Sequence, residues 1–268
     1  MTERATHYRT GSVQHDITQA LVAAGKSLDD LKPAELAMLE DYHTGGRLVT
    51  VQLVDLAGVT PESRVLDDGA GIGGTARYLA DRFGCSVTAV DLSAEYCETA
   101  RWLNGLVGLG DRIDVRQGDV TALQLEDDSF DIVFSQHVQM NVARKDLLYG
   151  EARRVLRDGG RLALWDIAAG DGGELDYPLP WADGPEHSHL VTPEDLRAEI
   201  EGAGFTVEHW ADLTEQVGDV MRTIQGLPPN PLGLHAFVPS FRERGKHLTE
   251  ALTDGRLRAI QAVATISR

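Results

Sequence analysis

A glycine-rich loop within VLDDGAGIGGTARYLA carries the residue pattern with the clearest chemical meaning. Gly69, Gly71 and Gly74 match the spacing G-x-G-x-x-G, and Asp67 begins an overlapping match to D-x-G-x-G-x-G. In both patterns the glycines let the backbone turn tightly after a strand and leave room for a ligand at the N-terminus of the next helix. The loop therefore predicts a site for a nucleoside-containing ligand, and it is compatible with more than one.

Two acidic residues follow β-rich segments later in the chain. Asp91 ends the segment SVTAVD, about 20 residues after the first glycine of the loop, where a carboxylate can accept hydrogen bonds from ribose hydroxyls. Asp119 lies in QGDVTAL, just after the next β-rich segment, where a carboxylate can accept a hydrogen bond from an adenine amino group. Asp91 suits either pattern of the loop, whereas Asp119 favours a ligand whose adenine lies beyond the third strand.

Short β-rich segments alternate with helical segments from residue 63 onward, which predicts a mostly parallel sheet with helices on both faces. The expected fold is a Rossmann-like α/β fold with seven strands. A last strand is predicted in RLRAIQAVATIS, after the six at 63–68, 86–91, 112–117, 130–135, 160–168 and 205–210.

Two helical additions flank this alternation. Residues 1–60 are predicted to form an N-terminal helical cover, and residues 61–268 to form the core. Within the core, residues 214–257 interrupt the pattern before the last strand and read as an insertion that covers a substrate. Ligands of open α/β sheets bind at the carboxyl ends of the strands, so both additions are placed to close a pocket there.

Composition narrows the class of protein. With 42 acidic and 25 basic side chains, the chain has a formal net charge of −17, which repels polyanions and disfavours nucleic acid as a partner. Its two cysteines are too few for a disulfide framework, and no Cys/His pattern predicts a metal site. No apolar run suits a signal peptide or a membrane span. We therefore expect a cytoplasmic protein without metal or membrane contact, as a monomer or homodimer.

Three segments in order give the loop a more specific meaning. QGDVTAL is followed by DDSFDIVFSQ, which opens the fourth strand, and then by VLRDGGRLALWDI, a helix end, a Gly-Gly turn and the fifth strand. Together with the glycine loop and Asp91, residues 60 to 170 resemble the class I methyltransferases that depend on S-adenosyl-L-methionine (SAM). The resemblance implies SAM as the cofactor, although a nicotinamide cofactor remains an alternative for the loop alone.

Further strings resemble a bacterial small-molecule group within this superfamily. This group is similar to the sarcosine/dimethylglycine N-methyltransferases and the ubiquinone/menaquinone C-methyltransferases. The resemblance implies methyl transfer to an N, O or C atom of a small molecule, and it leaves the acceptor open. The strings are DYHTGGR, GIGGTARYLA, SQHVQMNV, YPLPWA and NPLGLHAF.

The resemblance also assigns residues to the cofactor. The glycine loop would lie along the methionine part of SAM, and Asp91 would accept from the ribose hydroxyls with Leu92 against the adenine. Asp119 would accept from the adenine amino group, and the Val120 amide would reach the ring. The full implied set is Gly69, Ala70, Gly71, Asp91, Leu92, Asp119, Val120, Ser135 and Gln136.

The end of the fourth strand and one residue of the first strand need separate comment. Ser135 and Gln136 would face the methionine ammonium or the methyl group. Asp68 departs from the family pattern, which has an apolar residue after Asp67. We expect Asp68 to be a strand residue with a water or helix-dipole partner or, as the alternative, a ligand contact. An unpaired buried carboxylate would be costly.

The acceptor side is expected next to the end of the fourth strand and under the two additions. His137 is the candidate general base, because a histidine titrates near neutral pH, with pocket lining or a structural role as alternatives. Trp165 is expected in the core, and His187 and His189 on the surface. The candidate substrate-binding residues are Tyr42, His43, Met140, Asn141, Trp181 and His235.

Several functions remain open on the sequence alone. The first is methyl transfer from SAM. The same fold and cofactor also suit a non-methylating reaction such as a cyclisation, or a sensor that binds SAM without chemistry, because a fold does not fix a function. A nicotinamide oxidoreductase is the fourth alternative. The long covers favour an enzyme with a closed acceptor pocket over a sensor.

Overall fold

The computed structural model describes residues 11–40, 43–228 and 230–266. These residues build one seven-stranded sheet in the order β3-β2-β1-β4-β5-β7-β6, in which β7 alone runs antiparallel to its neighbours. The predicted Rossmann-like, mostly parallel sheet is confirmed. The strands are β1 Arg64–Asp68, β2 Ser86–Asp91, β3 Ile113–Gln117, β4 Phe130–Gln136, β5 Leu156–Ala169, β6 Thr206–Asp212 and β7 Leu257–Thr265.

Nine α-helices of the described residues cover the sheet and its edge. The helix that begins at Pro193 has a defined N-terminus. Thr192 caps it, because its Oγ1 accepts a hydrogen bond from the Asp195 amide at 3.1 Å, and proline is favoured at the first helical position. The helices are α1 Val13–Ala23, α2 Pro33–Glu40, α3 Gly46–Ala57, α4 Gly74–Phe83, α5 Ala94–Leu106, α6 Lys145–Val155, α7 Pro193–Gly202, α8 Thr214–Gln225 and α9 Phe241–Thr253.

Alternate residues of each central strand pack on opposite faces of the sheet, as the two-residue period of a strand requires. On β1, Val65 joins an apolar cluster formed with α3, α4, α8 and α9, whereas Leu66 joins a second cluster formed with α6 and α7. Both faces of β1 are therefore buried. This explains the nearly continuous apolar runs in the sequence, which are typical of a sheet with two covered faces.

The start of β5 differs from its predicted bound. The strand begins at Leu156, whereas the sequence predicted a Gly-Gly turn and a strand from residue 160. Leu156 pairs with Phe130 and Arg161 with Ile132, so the chain bulges between these two pairs, and Gly159 takes a left-handed φ of 71° there. The two glycines therefore form a bulge within a longer strand.

The two additions pack on each other. Val13, Ile17 and Leu21 of α1 share an apolar cluster with Leu234 and Phe237, which lie in the connection between α8 and α9. The same cluster includes side chains from α5 and from the glycine-rich loop. The N-terminal helices and the segment before β7 thus form a single cover over one region of the core.

The described residues contain neither a membrane-spanning helix nor a cluster of metal ligands. No helix there combines the length and the apolar character that crossing a bilayer requires. No group of three or more His, Cys, Asp and Glu side chains in the same ranges is arranged to hold a metal ion. Cys85 and Cys97 are both buried free thiols.

Asp68 at the end of β1 is an internal carboxyl group. It is 1% exposed, and neither of its oxygens has a hydrogen-bond partner among the described groups. Burial, with a smaller contribution from Asp67, raises the pKa of Asp68 well above its ordinary value of 3.8. The fold therefore favours the protonated, neutral form of this carboxyl group.

Asp68→Asn should change how stability depends on pH. In the wild type the unfolded carboxyl ionises above about pH 4, whereas the folded one, with its raised pKa, ionises only at higher pH, so the contribution to stability is full below about pH 4 and is lost as pH rises. The variant lacks this loss, so its unfolding temperature relative to wild type should rise from pH 4 to pH 8. At this chain length, each kcal/mol of difference in the free energy of unfolding shifts the unfolding temperature by about 2–4 °C.

Thermal unfolding followed by circular dichroism across pH 4 to 8 measures this difference. The exposed Asp55 on α3 offers the matched control. Asp55→Asn removes a carboxylate that is already in water, so its unfolding temperature should follow that of the wild type. An Asp68→Asn difference that stays constant with pH would contradict the neutral state of this group.

Candidate active site

A cavity of about 430 Å³ lies at the carboxyl ends of β1, β2 and β4. Its walls come from the glycine-rich loop, from the residues just after β2, β3 and β4, and from residues 180–181 and 186–189. Phe237 of the cover also lines it. The cavity therefore lies where the parallel strands of an α/β sheet present their loops to a ligand.

The glycine-rich loop turns through left-handed backbone that suits glycine. Gly69 has a φ of 76° and Gly71 a φ of 56°. A Cβ at Gly69 would come within 2.5 Å of Val138, so this position needs glycine for close packing. A Cβ at Gly71 would meet nothing within 4 Å, and Gly71 lines the cavity. Gly71 thus leaves open space where a ligand can approach the backbone.

Asp91 holds the loop in place. One carboxylate oxygen accepts from the Gly71 amide at 2.8 Å, and the other accepts from the Ser93 amide at 2.8 Å. Burial raises the pKa of Asp91 to about 6, although these two amides favour the ionised form. Asp91 therefore couples the end of β2 to the glycine loop and to the start of α5, and its carboxylate lines the cavity.

Asp67 and Asp119 supply the other carboxylates beside the loop. Asp67 accepts from the Ala76 amide of α4 at 3.1 Å, and burial raises its pKa to about 7. Asp119 accepts through Oδ1 from the amide and the hydroxyl of Thr121, at 2.9 and 2.6 Å. Both side chains line the cavity, so the end of β1 and the loop after β3 present carboxylates to one space.

A chain of hydrogen bonds joins the N-terminal cover to the end of β4. Gln136 donates from Nε2 to Thr75 of α4 at 2.7 Å, and Thr50 of α3 donates to Gln136 Oε1 at 3.4 Å. Thr50 Oγ1 lies 2.9 Å from His43 Nε2. Burial lowers the pKa of His43 to about 4, so its ring is neutral at neutral pH. The cover is thus fixed to the same strand end that lines the cavity.

His137 has an unusual backbone and an engaged ring nitrogen. Its φ is 58°, a left-handed value that histidine adopts more readily than most residues with a side chain. Nε2 accepts from the Thr44 amide at 3.3 Å, which leaves the proton of the neutral ring on Nδ1. Burial, with a smaller effect of His43, lowers the pKa of His137 well below 6.5. The lone pair that a base needs is therefore occupied in this arrangement.

The structure brings most of the predicted site residues together. Ser135 is buried inside the sheet away from the cavity lining, and His235 is exposed on the cover. Tyr42 lies outside the described residues. The predicted residues that line the cavity are Gly69, Ala70, Gly71, Asp91, Leu92, Asp119, Val120, Gln136, His43, His137, Met140, Asn141 and Trp181.

Other lining residues were missed or placed elsewhere. His187 and His189 were expected on the surface, but both line the cavity, because residues 180–189 fold back against the end of β4. The His189 amide donates to Met140 O at 2.8 Å there, and Trp181 Nε1 donates to Ser188 at 3.0 Å. Glu186 and Phe237 carried no local sequence signal. Trp165 lies fully in the core, as predicted.

Known proteins resemble this chain in sequence. The family model described as a methyltransferase domain matches residues 66–164. Glycine/sarcosine/dimethylglycine N-methyltransferase of Actinopolyspora halophila is 31% identical over 66% of this chain and 31% of its own length. Methyltransferase GfsG of Streptomyces halstedii is 31% identical over 75% of this chain and 71% of its own length. This chain spans less than two thirds of the length of the first relatives that it matches.

Solved structures share the fold at low identity. Geranyl diphosphate methyltransferase in complex with SAM has a TM-score of 0.64 and 19% identity, and the match covers 98% of this chain and 93% of that one. The [4+2]-cyclase SpnF has a TM-score of 0.68 and 18% identity, with 98% of this chain and 97% of that one covered. The relative that is covered over most of its length and the family model agree on one family. The chain belongs to the class I SAM-dependent methyltransferases.

Proposed function

We propose that this protein transfers the methyl group of SAM to an N, O or C atom of a small-molecule acceptor. The observation that carries the proposal is the meeting of the glycine loop and the carboxylates of Asp91 and Asp119 in one cavity. The curated relatives support it, since those at 31% identity are named as methyltransferases. The substrates in those names belong to those proteins, and the names do not identify the acceptor of this chain.

The residues present fit SAM. Gly71 leaves open space at the backbone. Asp91, whose carboxylate already accepts a hydrogen bond from the Gly71 amide, can also accept hydrogen bonds from the ribose hydroxyls. Asp119 uses Oδ1 for Thr121, and among the described groups Oδ2 has no hydrogen bond that competes with an adenine amino group. Leu92 and Val120 supply apolar surface beside these carboxylates.

The protein contributes position rather than covalent chemistry. When bound, SAM supplies a methyl group that its sulfonium already activates. The chain holds the acceptor against this group, and near-attack geometry can lower a barrier by roughly 7–11 kcal/mol. From the two additions, His43 and Phe237 line the cavity and so lie beside the bound reactants. His137 presents Nδ1–H to an acceptor, and it can take up a proton only after Nε2 leaves the Thr44 amide.

A second candidate function has one supporting observation. The fold of the cyclase SpnF matches nearly the whole of this chain, so the fold alone suits a non-methylating reaction. Methyl transfer is favoured because the relatives that share more sequence are methyltransferases. We further propose a cytoplasmic protein that is a monomer or homodimer and binds no nucleic acid, on the basis of its composition and of the two free buried thiols.

Radiolabelled SAM incubated with the protein and a pooled metabolite extract tests the proposal directly. Label should move into a small molecule that mass spectrometry then identifies. SAM binding with a changed acceptor skeleton and no label transfer would instead select the cyclase. Binding without any conversion would select a sensor.

Gly71→Ala should weaken the binding of S-adenosylhomocysteine (SAH), the demethylated product. The new methyl group would enter the cavity, and overpacking of this kind costs about 1–3 kcal/mol, or about 5- to 150-fold in affinity. Isothermal titration calorimetry measures the loss. Gly25→Ala is the matched control, because Gly25 has a φ of 71° with open space around it and lies outside the cavity. Equal SAH affinity in both variants would contradict the placement of the loop.

The affinity for SAH should fall as pH drops through about 6. Asp91 accepts hydrogen bonds from the ribose hydroxyls in its ionised form. Because its pKa in the free protein is about 6, this carboxylate becomes protonated as the pH falls below 6. Affinity should therefore be full above pH 6 and fall by up to about tenfold per pH unit below it. Titrations between pH 5 and 8 measure this. The fall near pH 6 should vanish in Asp91→Asn and persist in Asp119→Asn, although both variants bind more weakly.

His137→Asn should lower turnover more than SAH affinity. Asparagine tolerates the left-handed backbone at this position, so the variant removes the ring without adding the strain that alanine would bring. Loss of an acid or base costs about 10²- to 10⁴-fold in rate, and loss of a positioning hydrogen bond costs less. His235→Ala, at an exposed site outside the cavity, serves as control. A variant in which turnover and SAH affinity fall equally would make His137 structural.

A further inference from the structure

We infer that the acceptor is a mainly apolar molecule without an anionic group, and that the cavity selects against carboxylates and phosphates. This inference rests on the proposed function, because it concerns the second ligand of the same cavity. It differs from what the relatives would suggest. Sarcosine and dimethylglycine carry a carboxylate, and geranyl diphosphate carries a diphosphate, so the names of these proteins point to substrates with an anionic group.

The acceptor wall is the part of the lining remote from the carboxylates that suit ribose and adenine. We define it as His137, Met140, Asn141, Pro180, Trp181, Glu186, His187 and His189. Three side chains of the wall that border the cavity, Met140, Pro180 and Trp181, are largely apolar. Burial of apolar ligand surface against such side chains contributes about 25 cal/mol per Å². The wall thus favours an acceptor with a substantial apolar part.

The acidic side chains of the cavity lining have no basic side chain of lysine or arginine beside them in that lining, as far as the structure describes it. Among the described residues that line the cavity, four carry carboxylates, at Asp67, Asp91, Asp119 and Glu186, and none is a lysine or an arginine. An anion that leaves water for such a site loses its hydration without gaining a cation. It also meets repulsion from Glu186, the one carboxylate of the acceptor wall.

Two histidines of the cavity do not supply a positive charge. Burial lowers the pKa of His43 to about 4 and that of His137 well below 6.5, so both rings are neutral at neutral pH. A third ring, that of His187, lies beside the Glu186 carboxylate, with Nδ1 3.3 Å from Oε1.

Two cations that contact the loops of the wall are held by other partners. Lys145 lies behind it, and its Nζ donates to the carbonyls of Gln139, Val142 and His189 at 3.2, 2.9 and 2.5 Å. An ammonium group has three hydrogens, so these three bonds leave none for an anion in the cavity.

Arg244 of α9 is held in the same way. It donates to the Leu179 carbonyl at 2.6 Å and to the Pro239 carbonyl at 3.0 Å, and it forms an ion pair with Asp183. Both cations thus stabilise the loops that carry the acceptor wall, and an anionic acceptor would have to break these bonds to use them.

Three ten-carbon probes that share one apolar chain test the inference. Geraniol is neutral, geranylamine is cationic, and geranyl diphosphate is anionic. Each is titrated calorimetrically at pH 7.5 into the full chain saturated with SAH, and dimethylglycine is titrated as a small carboxylate. Geraniol and geranylamine should bind, and geranyl diphosphate and dimethylglycine should bind at least about tenfold more weakly.

The outcomes separate this inference from the proposed function. Failure of SAH itself to bind would count against the proposed function. With SAH bound, equal or tighter binding of geranyl diphosphate or dimethylglycine would overturn the charge selection. Failure of both geraniol and geranylamine to bind would overturn the apolar class of the acceptor.

A pair of charge reversals gives a second measurement. Glu186→Arg places a cation on the acceptor wall, so it should raise the affinity of geranyl diphosphate relative to geraniol by about tenfold or more. Glu194→Arg, at an exposed position in the first turn of α7 outside the cavity, makes the same change in net charge. It should leave the ratio of the two affinities unchanged. An equal shift in both variants would show that the net charge, and not the wall, sets the preference.

Discussion

The pair of hydrogen bonds from Gly71 and Ser93 to the Asp91 carboxylate is the interaction on which the rest of the site depends. It connects the end of β2 to the glycine loop of β1 and to the first turn of α5. The carboxylate is buried at some cost, as its raised pKa shows, and the two amides offset part of that cost. A loop of left-handed glycines would otherwise have many accessible conformations, and this carboxylate selects one.

The second constraint comes from the cover. Thr44 donates to His137, the Trp165 indole donates to the Thr44 carbonyl at 2.8 Å, and Thr50 reaches Gln136. The N-terminal helices are therefore attached to β4 and β5 by polar contacts as well as by apolar packing. These contacts occupy Nε2 of His137 and the side-chain oxygen of Gln136, so both polar groups at the end of β4 are already engaged with the cover.

Local patterns predicted the sheet, and they brought more of the cofactor candidates than of the loop residues into view. The glycine loop, Asp91 and Asp119 lie at or just after the ends of strands, so strand order alone brings them to one cavity. His187 and Glu186 lie in a loop whose path is set by contacts with the end of β4, which no local pattern encodes. Ser135 and His235 show the converse, since their positions in sequence suggested a cavity that their side chains do not line. The bulge in β5 was missed because a Gly-Gly pair suits a turn and a bulge equally.

The apolar cluster that α1 shares with Leu234 and Phe237 has a consequence for how the chain is made. A ribosome releases the N-terminal helices first, and domains begin to fold as they emerge. Val13, Ile17 and Leu21 lack these partners until more than 230 residues have been synthesised. Ile72, Tyr96 and Leu103 are available to α1 earlier, but the cluster is completed only once the connection between α8 and α9 has left the ribosome, so the cover over this part of the core forms late in folding.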